Sequence, residues 1–326
     1  MFLEGQSILI TGGTGSFGRA FAKTVLERHD PRRVIIYSRD ELKQSEMAEQ
    51  MKDKRLRFFL GDVRDLARLE RACNDVQVIV HAAALKQVPA AEYNPFECIK
   101  TNVLGAQNVV EAAINCGVEK VMALSTDKAA NPINLYGATK LCSDKLFVAG
   151  NAYSGGRGTM MSVVRYGNVV GSRGSVVPFF RNARVNGFLP ITDPRMTRFW
   201  ITLDQGVEFV LDGLKRMHGG ELFVPKIPST DIMTLVEALA PECEIKIVGI
   251  RPGEKLHELM ISEDDSRRTR DMGSYYVLQP QSAWWDESLL HAGTPVADGF
   301  SYRSDNNPHK LNVQEVRELL GTLGLN

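Results

Sequence analysis

The sequence is poor in cysteine, and its cysteines form no pattern. Its 326 residues include only five, and no two of them are spaced as Cys-x-x-Cys (Cys73, Cys98, Cys116, Cys142 and Cys243). An odd number of scattered cysteines argues against a disulfide framework and provides no set of zinc ligands. We therefore predict a cytoplasmic protein, from a reducing compartment, with no metal site.

An excess of one charge and long apolar stretches are also absent from the sequence. Lys plus Arg and Asp plus Glu both number 39, so no overall field attracts nucleic acid or an anionic membrane. No run approaches the ~20 apolar residues of a membrane span. The opening residues, MFLEG, lack the basic region of a signal peptide. These features predict a soluble globular protein that binds neither nucleic acid nor membrane.

A glycine-rich loop follows the first predicted strand, residues 7–11, and a helix is predicted from residue 19. Glycines in such a loop make a tight turn and let the backbone approach a pyrophosphate, which the helix N-terminus then faces. Glycines also mark ordinary turns, but the position between the first strand and the first helix predicts a dinucleotide site. Its candidate residues are those of the loop: Gly12, Thr14, Gly15, Ser16, Phe17 and Gly18.

The end of the second predicted strand, residues 34–37, bears on the choice of cofactor. An acid there binds the ribose 2′-hydroxyl of NAD, whereas an arginine accommodates the 2′-phosphate of NADP. Ser38, Arg39 and Lys43 together favour NADP. Asp40 and Glu41 keep NAD open, although both suit the start of the next helix.

Two further strand ends supply candidate contacts. Asp62 and Val63 follow the third predicted strand, and Asp62 is placed to accept a hydrogen bond from an adenine amino group. Ala82 and Ala83 follow the fourth strand, where small side chains let a cofactor lie against the backbone. Lys86, just beyond, is predicted to contact substrate or phosphate.

The richest stretch follows the apolar run 121–124, which predicts a buried parallel strand. Thr126, Asp127 and Lys128 come at its carboxyl end, where open α/β sheets bind ligands. Tyr136 and Lys140 are four residues apart, so they share one face of a helix. A lysine beside a tyrosine hydroxyl stabilises the phenolate, which can then take a proton from an alcohol. A surface helix with a chance Tyr–Lys pair has the same spacing, but the upstream cofactor loop favours catalysis.

The second half of the sequence has a different pattern of predicted secondary structure. Beyond residue 170 the alternation of strand and helix stops, and proline and glycine become frequent. We predict a dinucleotide-binding domain over 1–170, with some later segments returning to it, and a smaller lobe with a C-terminal tail over 171–326.

Polar clusters in this half suggest a second binding surface. Arg198 and Arg251 are suited to a diphosphate and Glu254 to sugar hydroxyls, although an isolated arginine is more often in a surface ion pair. Trp284-Trp285 suits either a subunit contact or a packed C-terminal turn.

Taken together, the glycine loop, Asp62 and Tyr136-x-x-x-Lys140 resemble the extended short-chain dehydrogenase/reductase superfamily that acts on nucleotide sugars. Within it, the stretches 125–132, 165–169 and 251–255 resemble the inverting UDP-N-acetylglucosamine 4,6-dehydratases of the pseudaminic acid pathway. The resemblance covers about residue 5 to about residue 280. Membrane-anchored, retaining relatives typically carry Met where this chain has Tyr136.

This resemblance implies a Rossmann-type doubly wound parallel sheet with a smaller C-terminal α/β substrate lobe. It also implies an NADP-dependent lyase that binds a UDP-sugar and forms a homo-oligomer, either a dimer or a larger assembly such as a hexamer. Asn168, within the matched 165–169 stretch, is expected at the substrate.

The implied reaction has three steps. Tyr136, helped by Lys140, takes the C4 hydroxyl proton while a hydride passes to NADP⁺, and Thr126 hydrogen-bonds the sugar. Lys128, as a neutral amine, removes the C5 proton, which requires a pKa lowered by burial or by Lys140. Asp127 protonates the departing C6 hydroxyl. The hydride then returns to C6, and C5 is reprotonated on the opposite face.

Two alternatives stay open at this point. A UDP-sugar 4-epimerase or 5-epimerase is the nearer one, and the Lys128 amine argues against it. A catalytically idle, NADP-sensing protein is the other, and the intact set of Asp127, Lys128, Tyr136 and Lys140 argues against that.

Overall fold

Strands and helices alternate regularly through the first half of the chain. The computed structural model describes residues 2–155, 158–171, 176–281, 285, 287–289 and 291–325. The first-half elements are β1 Ser7–Thr11, α1 Ser16–Arg28, β2 Arg33–Ser38, α2 Glu41–Gln50, β3 Leu56–Leu60, α3 Leu66–Cys73, β4 Val78–His81, α4 Val88–Tyr93, α5 Pro95–Ile99, a π-helical turn Lys100–Leu104, α6 Gly105–Asn115, β5 Lys120–Thr126, a 3₁₀ turn Asp127–Ala129, α7 Leu135–Ser154 and β6 Met160–Tyr166.

The second half has shorter elements. They are β7 Asn168–Val169, α8 Val176–Arg184, β8 Phe188–Ile191, β9 Thr197–Ile201, α9 Leu203–Arg216, β10 Leu222–Pro225, β11 Ser229–Asp231, α10 Ile232–Leu239, β12 Glu244–Ile247, β13 Leu259–Ile261, β14 Thr269–Asp271, β15 Tyr275–Leu278, β16 Thr294–Pro295, β17 Tyr302–Arg303 and α11 Val313–Thr322. None of the described helices is long and apolar enough to cross a bilayer.

A large parallel sheet organises the molecule. Its strands run in the order β3-β2-β1-β4-β5-β6-β10, all parallel, in the register Ser7↔Arg33 for β1 and β2 and Ile8↔Val78 for β1 and β4. The interior strands are apolar on both faces because helices cover both sides, and every residue of β1 is buried. The strand order reverses beside β1, which is where doubly wound sheets bind nucleotides. The predicted Rossmann-type α/β fold is confirmed.

Late segments of the chain extend this same sheet. Beyond β10, strands β15, β14 and β16 add in antiparallel fashion, so the described sheet has ten strands. The small groups β11-β9-β7, β12-β8 and β13-β17 lie outside it.

The apolar core follows this arrangement. One continuous cluster fills both faces of the large sheet, and a second packs α8, β8, α10 and α11 together. Helices are capped by nearby side chains, as in the reciprocal Thr202–Gln205 capping box that starts α9.

Candidate active site

A cleft of about 1180 Å³ opens at the carboxyl ends of the parallel strands. It brings together the glycine loop, the 125–140 stretch and three loops of the second half. Its walls include every predicted site residue except Asp127, which lies fully buried behind them: Gly12, Thr14, Gly15, Ser16, Phe17, Gly18, Ser38, Arg39, Lys43, Asp62, Val63, Ala82, Ala83, Lys86, Thr126, Lys128, Tyr136, Lys140, Asn168, Arg198, Arg251 and Glu254.

The glycine loop leaves no room for side chains at two positions. Gly12 has φ of +68°, and a Cβ there would lie 2.9 Å from the Cα of Ala83. A Cβ on Gly18 would lie 2.5 Å from the Cα of Gly13. The loop therefore turns tightly, packs α1 close against the sheet, and aims the first N–H groups of α1 into the cleft, where they suit a pyrophosphate.

The end of β2 forms a polar rim beside this loop. Thr14 Oγ1 and Ser38 Oγ are hydrogen-bonded at 2.8 Å, which joins the two segments. Arg39 lies half-exposed, with its guanidinium 3.5 Å from Asp62, and Lys43 is paired with Asp40. The rim is thus a cluster of cations whose partners are all surface carboxylates.

Asp62 is held by Arg64 in this structure. Its carboxylate accepts hydrogen bonds from the Arg64 backbone N–H at 3.0 Å and from Nε and Nη2 at 2.8 and 2.7 Å. Burial acts to raise the pKa of Asp62, but these hydrogen bonds and the charges of Arg64 and Arg39 outweigh it and hold the pKa below its ordinary value. The adenine contact predicted for Asp62 stays a prediction.

A π-helical turn fixes the loop that follows β4. Asn102, inside that turn, accepts from the Leu85 N–H at 2.8 Å and donates to the Leu85 carbonyl at 2.9 Å. This reciprocal pair anchors the backbone next to Lys86, whose side chain reaches the cleft wall.

Local sequence places the catalytic candidates. β5 ends at Thr126, and the chain makes the 3₁₀ turn before α7 begins under the cap of Asn134, whose side chain accepts from the Gly137 N–H at 2.7 Å. Tyr136 and Lys140 then project from the first turns of α7 and are both buried at the cleft. The predicted shared helix face is present.

Buried charge surrounds Lys128. Its Nζ lies 3.0 Å from Asp127 Oδ1 and 3.1 Å from Glu258 Oε1, and Glu258 Oε1 is also 3.5 Å from Arg198 Nε. Thr126 Oγ1 donates to Asp127 Oδ1 at 2.9 Å. Two carboxylates and two cations thus meet within hydrogen-bond reach at the base of the cleft.

The protonation of this group differs from the sequence-based expectation for Lys128. Burial alone acts to lower its pKa, but the carboxylates of Asp127 and Glu258 outweigh burial and raise the pKa above its ordinary value. Lys140 is not among the groups that set it. The expectation of a lowered Lys128 pKa is therefore wrong for this arrangement. Burial raises the pKa of Asp127, as an acid catalyst requires.

The pKa of Tyr136 also differs from what the sequence led us to expect. Burial raises its pKa to about 12, and the cation that opposes this effect is Lys128, together with a hydrogen bond to Thr126. Burial also lowers the pKa of Lys140, which Asp144 counteracts. Lys140 is not among the groups that lower the pKa of Tyr136, and its help to the phenolate stays a prediction.

The second half of the chain borders the cleft and makes direct contacts with the 125–140 stretch. Lys255 Nζ donates to the Ala130 carbonyl at 2.6 Å, and Asn134 Nδ2 donates to the Gly253 carbonyl at 2.7 Å. Between these anchors, Arg251 and Glu254 form an ion pair at 3.6 Å on the rim.

Arg198 is engaged by the protein itself. Its guanidinium donates to the carbonyls of Thr197, Leu256 and Lys255 at 2.7, 3.1 and 3.1 Å, in addition to facing Glu258. Its contacts hold the segment that carries Glu258, and the diphosphate role predicted for it stays a prediction.

Sequence reasoning missed two buried residues of the site, Glu258 and Asp144. Glu258 comes close to Lys128 only through the tertiary fold, and no local signal marks it. Asp144 accepts from Ser125 Oγ at 2.7 Å and pairs with Arg165 at 3.1 Å. Its position four residues after Lys140, on the face of Tyr136 and Lys140, is a signal that could have found it.

The sequence analysis left two roles for Trp284-Trp285, and the structure describes one of these residues. Trp284 lies outside the described residues. Trp285 packs on the start of β10, since a Cβ on Gly220 would lie 2.8 Å from its ring. That contact agrees with a packed C-terminal turn.

The glycine cradle beside β1 and the Tyr136–Lys140 pair on α7 place the protein among the extended short-chain dehydrogenases/reductases. The family described as polysaccharide biosynthesis protein matches residues 8–280. A Campylobacter jejuni protein named UDP-N-acetylglucosamine 4,6-dehydratase (inverting) is 57% identical over 97% of this chain and 98% of its own. A Rickettsia conorii protein named UDP-glucose 4-epimerase is 41% identical over 99% and 97%.

Solved structures agree with the sequence relatives. Pen from Bacillus thuringiensis superposes with a TM-score of 0.91 at 34% identity, and the alignment covers all of both chains. DesIV from Streptomyces venezuelae, a dTDP-glucose 4,6-dehydratase solved with NAD bound, gives 0.69 at 25% identity, over 76% of this chain and 86% of its own. The chain belongs to the polysaccharide biosynthesis protein family, in the branch that contains the inverting UDP-N-acetylglucosamine 4,6-dehydratases.

Proposed function

We propose that the protein is a UDP-N-acetylglucosamine 4,6-dehydratase that inverts C5 and yields UDP-2-acetamido-2,6-dideoxy-β-L-arabino-hex-4-ulose. The observation that carries the proposal is the meeting of Thr126, Asp127, Lys128 and Tyr136 in one cleft with a cofactor cradle, in a chain 57% identical to proteins named for this reaction. The product would enter pseudaminic acid synthesis or a related deoxy-sugar route.

The cofactor we propose is NADP. The residues fit a dinucleotide, because the close backbone packing that Gly12 and Gly18 allow lets the loop turn tightly and brings the N-terminus of α1 to the cleft. Arg39, Lys43 and the Ser38 hydroxyl stand at the end of β2, where a 2′-phosphate would lie. A bound nicotinamide supplies a hydride acceptor for C4 and a hydride donor for C6.

Within this cleft, each catalytic side chain has a defined task. The Tyr136 oxygen, as a phenolate that Lys128 and Thr126 stabilise, takes the proton of the C4 hydroxyl and becomes a neutral phenol. Once C4 is a ketone, the C5 proton becomes acidic and Lys128 Nζ removes it. Asp127, whose pKa burial raises, gives its proton to the C6 hydroxyl, which leaves as water. C5 then receives a proton on its other face.

The sugar nucleotide has its own set of proposed contacts. Arg251 and Lys86, both exposed residues of the cleft lining, would pair with the diphosphate, while Glu254 and Asn168 would hold hydroxyl or amide groups. We assign Arg198 to Glu258 and the 255–256 backbone, where its donors lie.

The decisive experiment mixes the purified protein with UDP-N-acetylglucosamine and NADP⁺ in deuterated water and follows the sugar by NMR and mass spectrometry. Loss of one water, a new C6 methyl group, deuterium at C5 and the L-arabino configuration are expected. The Lys128→Ala variant serves as the matched control, because it should stay folded and incorporate no deuterium at C5.

Other outcomes would redirect the proposal. Dehydration with C5 retained would contradict the inversion, and a C4 epimer without loss of water would favour the epimerase activity for which the Rickettsia relatives are named. Bound cofactor with every UDP-sugar unchanged would favour the sensing alternative.

We also propose that copies of this chain associate. The helices α4 and α5 expose Tyr93 and Phe96, 88% and 76% accessible, with Ile99 beside them. An apolar cluster of this kind favours a subunit interface. Light scattering at several protein concentrations would report the mass, and a monomer at all of them would refute the association.

A further inference from the structure

Glu258 is a buried acid of the cleft. The proposed reaction assigns it no role. Glu258 precedes β13, and its backbone is fixed on both sides by Ser304, which accepts from the Glu258 N–H and donates to its carbonyl, each at 2.9 Å. Its side chain is 2% exposed. One carboxylate oxygen faces Lys128, and the other, Oε2, is buried with no hydrogen-bond partner among the described residues.

The proposed dehydration has a gap that this geometry addresses. Lys128 must take a proton from C5, yet the ammonium that lies between Asp127 and Glu258 has no lone pair to accept one. A proton must therefore leave Nζ first. In the proposed reaction Asp127, whose pKa burial raises, enters this step already as the carboxylic acid that protonates the C6 hydroxyl, so the remaining acceptor that faces Nζ is Glu258.

We propose that Glu258 is the proton acceptor that turns Lys128 into a base. This inference rests on the proposed function. An N–H bond of the Lys128 ammonium breaks, its proton forms an O–H bond with the Glu258 carboxylate, and the lone pair left on Nζ takes the C5 proton. The C5–H electrons form the C5–C6 double bond as the C6 hydroxyl departs with the Asp127 proton. After product release, the proton on Glu258 passes through Lys128 to Asp127, 3.0 Å from Nζ, which restores the Asp127 acid and the Glu258 carboxylate.

The buried setting favours this transfer once substrate fills the cleft. Burial acts to raise the pKa of Glu258, but the charges of Lys128, Arg198 and Lys255 outweigh it and hold that pKa below its ordinary value. Substrate that fills the cleft excludes water and disfavours the charged forms of both Lys128 and Glu258, which shifts both pKa values toward the neutral pair. An uncharged amine–carboxylic acid pair then becomes accessible from the ion pair without any change in net charge. The 3.1 Å separation needs no side-chain movement for the proton to cross.

The test is the Glu258→Gln variant, which keeps the shape of the side chain but cannot accept a proton from Lys128. We expect the variant to stay folded, to bind UDP-N-acetylglucosamine, and to reduce the nicotinamide transiently as C4 is oxidised. Exchange of the C5 proton with deuterated water should fall by about 10²–10⁴-fold, and dehydration with it. Glu258→Asp should restore part of the exchange. Glu263→Gln, an exposed acid on the same segment, is the matched control and should behave as the parent protein.

The outcomes separate the two proposals. If the parent protein forms no dehydrated product, the proposed function fails irrespective of Glu258. If the parent protein reacts and Glu258→Gln exchanges C5 as fast or faster, Glu258 only holds Lys128 charged, and the proton-acceptor role is overturned. If Glu258→Gln loses nicotinamide reduction or sugar binding as well as exchange, Glu258 only shapes the site, which also overturns it.

Discussion

Replacing Gly137 by alanine is expected to damage both the stability and the chemistry of this protein. Gly137 lies in the first turn of α7, directly after Tyr136, and packs against the 3₁₀ turn that carries Lys128. A Cβ at this position would lie 2.2 Å from the Lys128 carbonyl oxygen and 3.1 Å from Pro132 Cβ. Contacts this short cannot exist, so α7 must move away from the turn.

The size of the effect follows from that distance. Reaching an ordinary contact of about 3.5 Å requires a shift of about 1 Å. Overpacking of a well-packed interior costs about 1–3 kcal/mol of unfolding free energy. The same shift separates Tyr136 from Thr126 and Lys128, and a misplacement of about 1 Å lowers turnover by about 10²-fold.

The assay compares urea unfolding and the rate of dehydration in Gly137→Ala and in a matched variant, Gly206→Ala. Gly206 is also helical and buried, but a Cβ there would meet nothing closer than Tyr166 Cζ at 4.0 Å. Gly206→Ala should therefore raise stability by about 0.5–1 kcal/mol and leave turnover unchanged. If Gly137→Ala behaves like Gly206→Ala in both measurements, the packing argument is refuted.

Three further predictions concern single side chains. Tyr136→Phe should lower kcat by about 10²–10⁴-fold while calorimetry shows UDP-sugar binding preserved; an unchanged kcat would remove Tyr136 as the base. Arg39→Ala should weaken NADP binding by about 10–100-fold in fluorescence titration and leave NAD binding unchanged; equal losses for both would contradict the 2′-phosphate role. Asp265→Asn should cost about 1.5–3 kcal/mol at neutral pH. Burial opposes ionisation of Asp265, but Arg268 outweighs it and depresses the carboxyl pKa. The carboxylate therefore stabilises the fold above its unfolded pKa of about 3.9 and less as pH falls through the folded value. Urea midpoints of parent and variant should converge in acid, and a constant gap would refute this linkage.

Features encoded by local pattern could be predicted from the sequence. The glycine loop between β1 and α1 and the Tyr136–Lys140 spacing on α7 depend on residues that are neighbours along the chain. The meeting of Ser38, Asp62 and Thr126 at one edge of the sheet could also be predicted, because each follows or ends a strand and parallel strands bring their carboxyl ends to the same edge.

Features set by tertiary neighbours could not be predicted. Glu258 lies far from Lys128 in the sequence but 3.1 Å from its Nζ in the fold. Its carboxylate is one of the two charges that raise the Lys128 pKa. The sequence predicted that Arg198 binds a diphosphate, but in the structure its guanidinium donates hydrogen bonds to three backbone carbonyls. Some later segments were predicted to return to the first domain, but β14 and β16 could not be identified as those segments, because two- and three-residue strands carry almost no periodicity.

The shared sheet restricts how this enzyme family can change its substrate. β10 pairs with β6, and β15, β14 and β16 continue outward from it, so part of the half that follows residue 170 is joined to the cofactor half by a continuous backbone ladder. A chimera that grafts the second half of one relative onto the first half of another must match the β6–β10 register as well as the cleft. New sugar specificity is then more easily gained by exchanging loops such as 249–255, which meet the catalytic segment through only a few contacts, than by recombining whole halves.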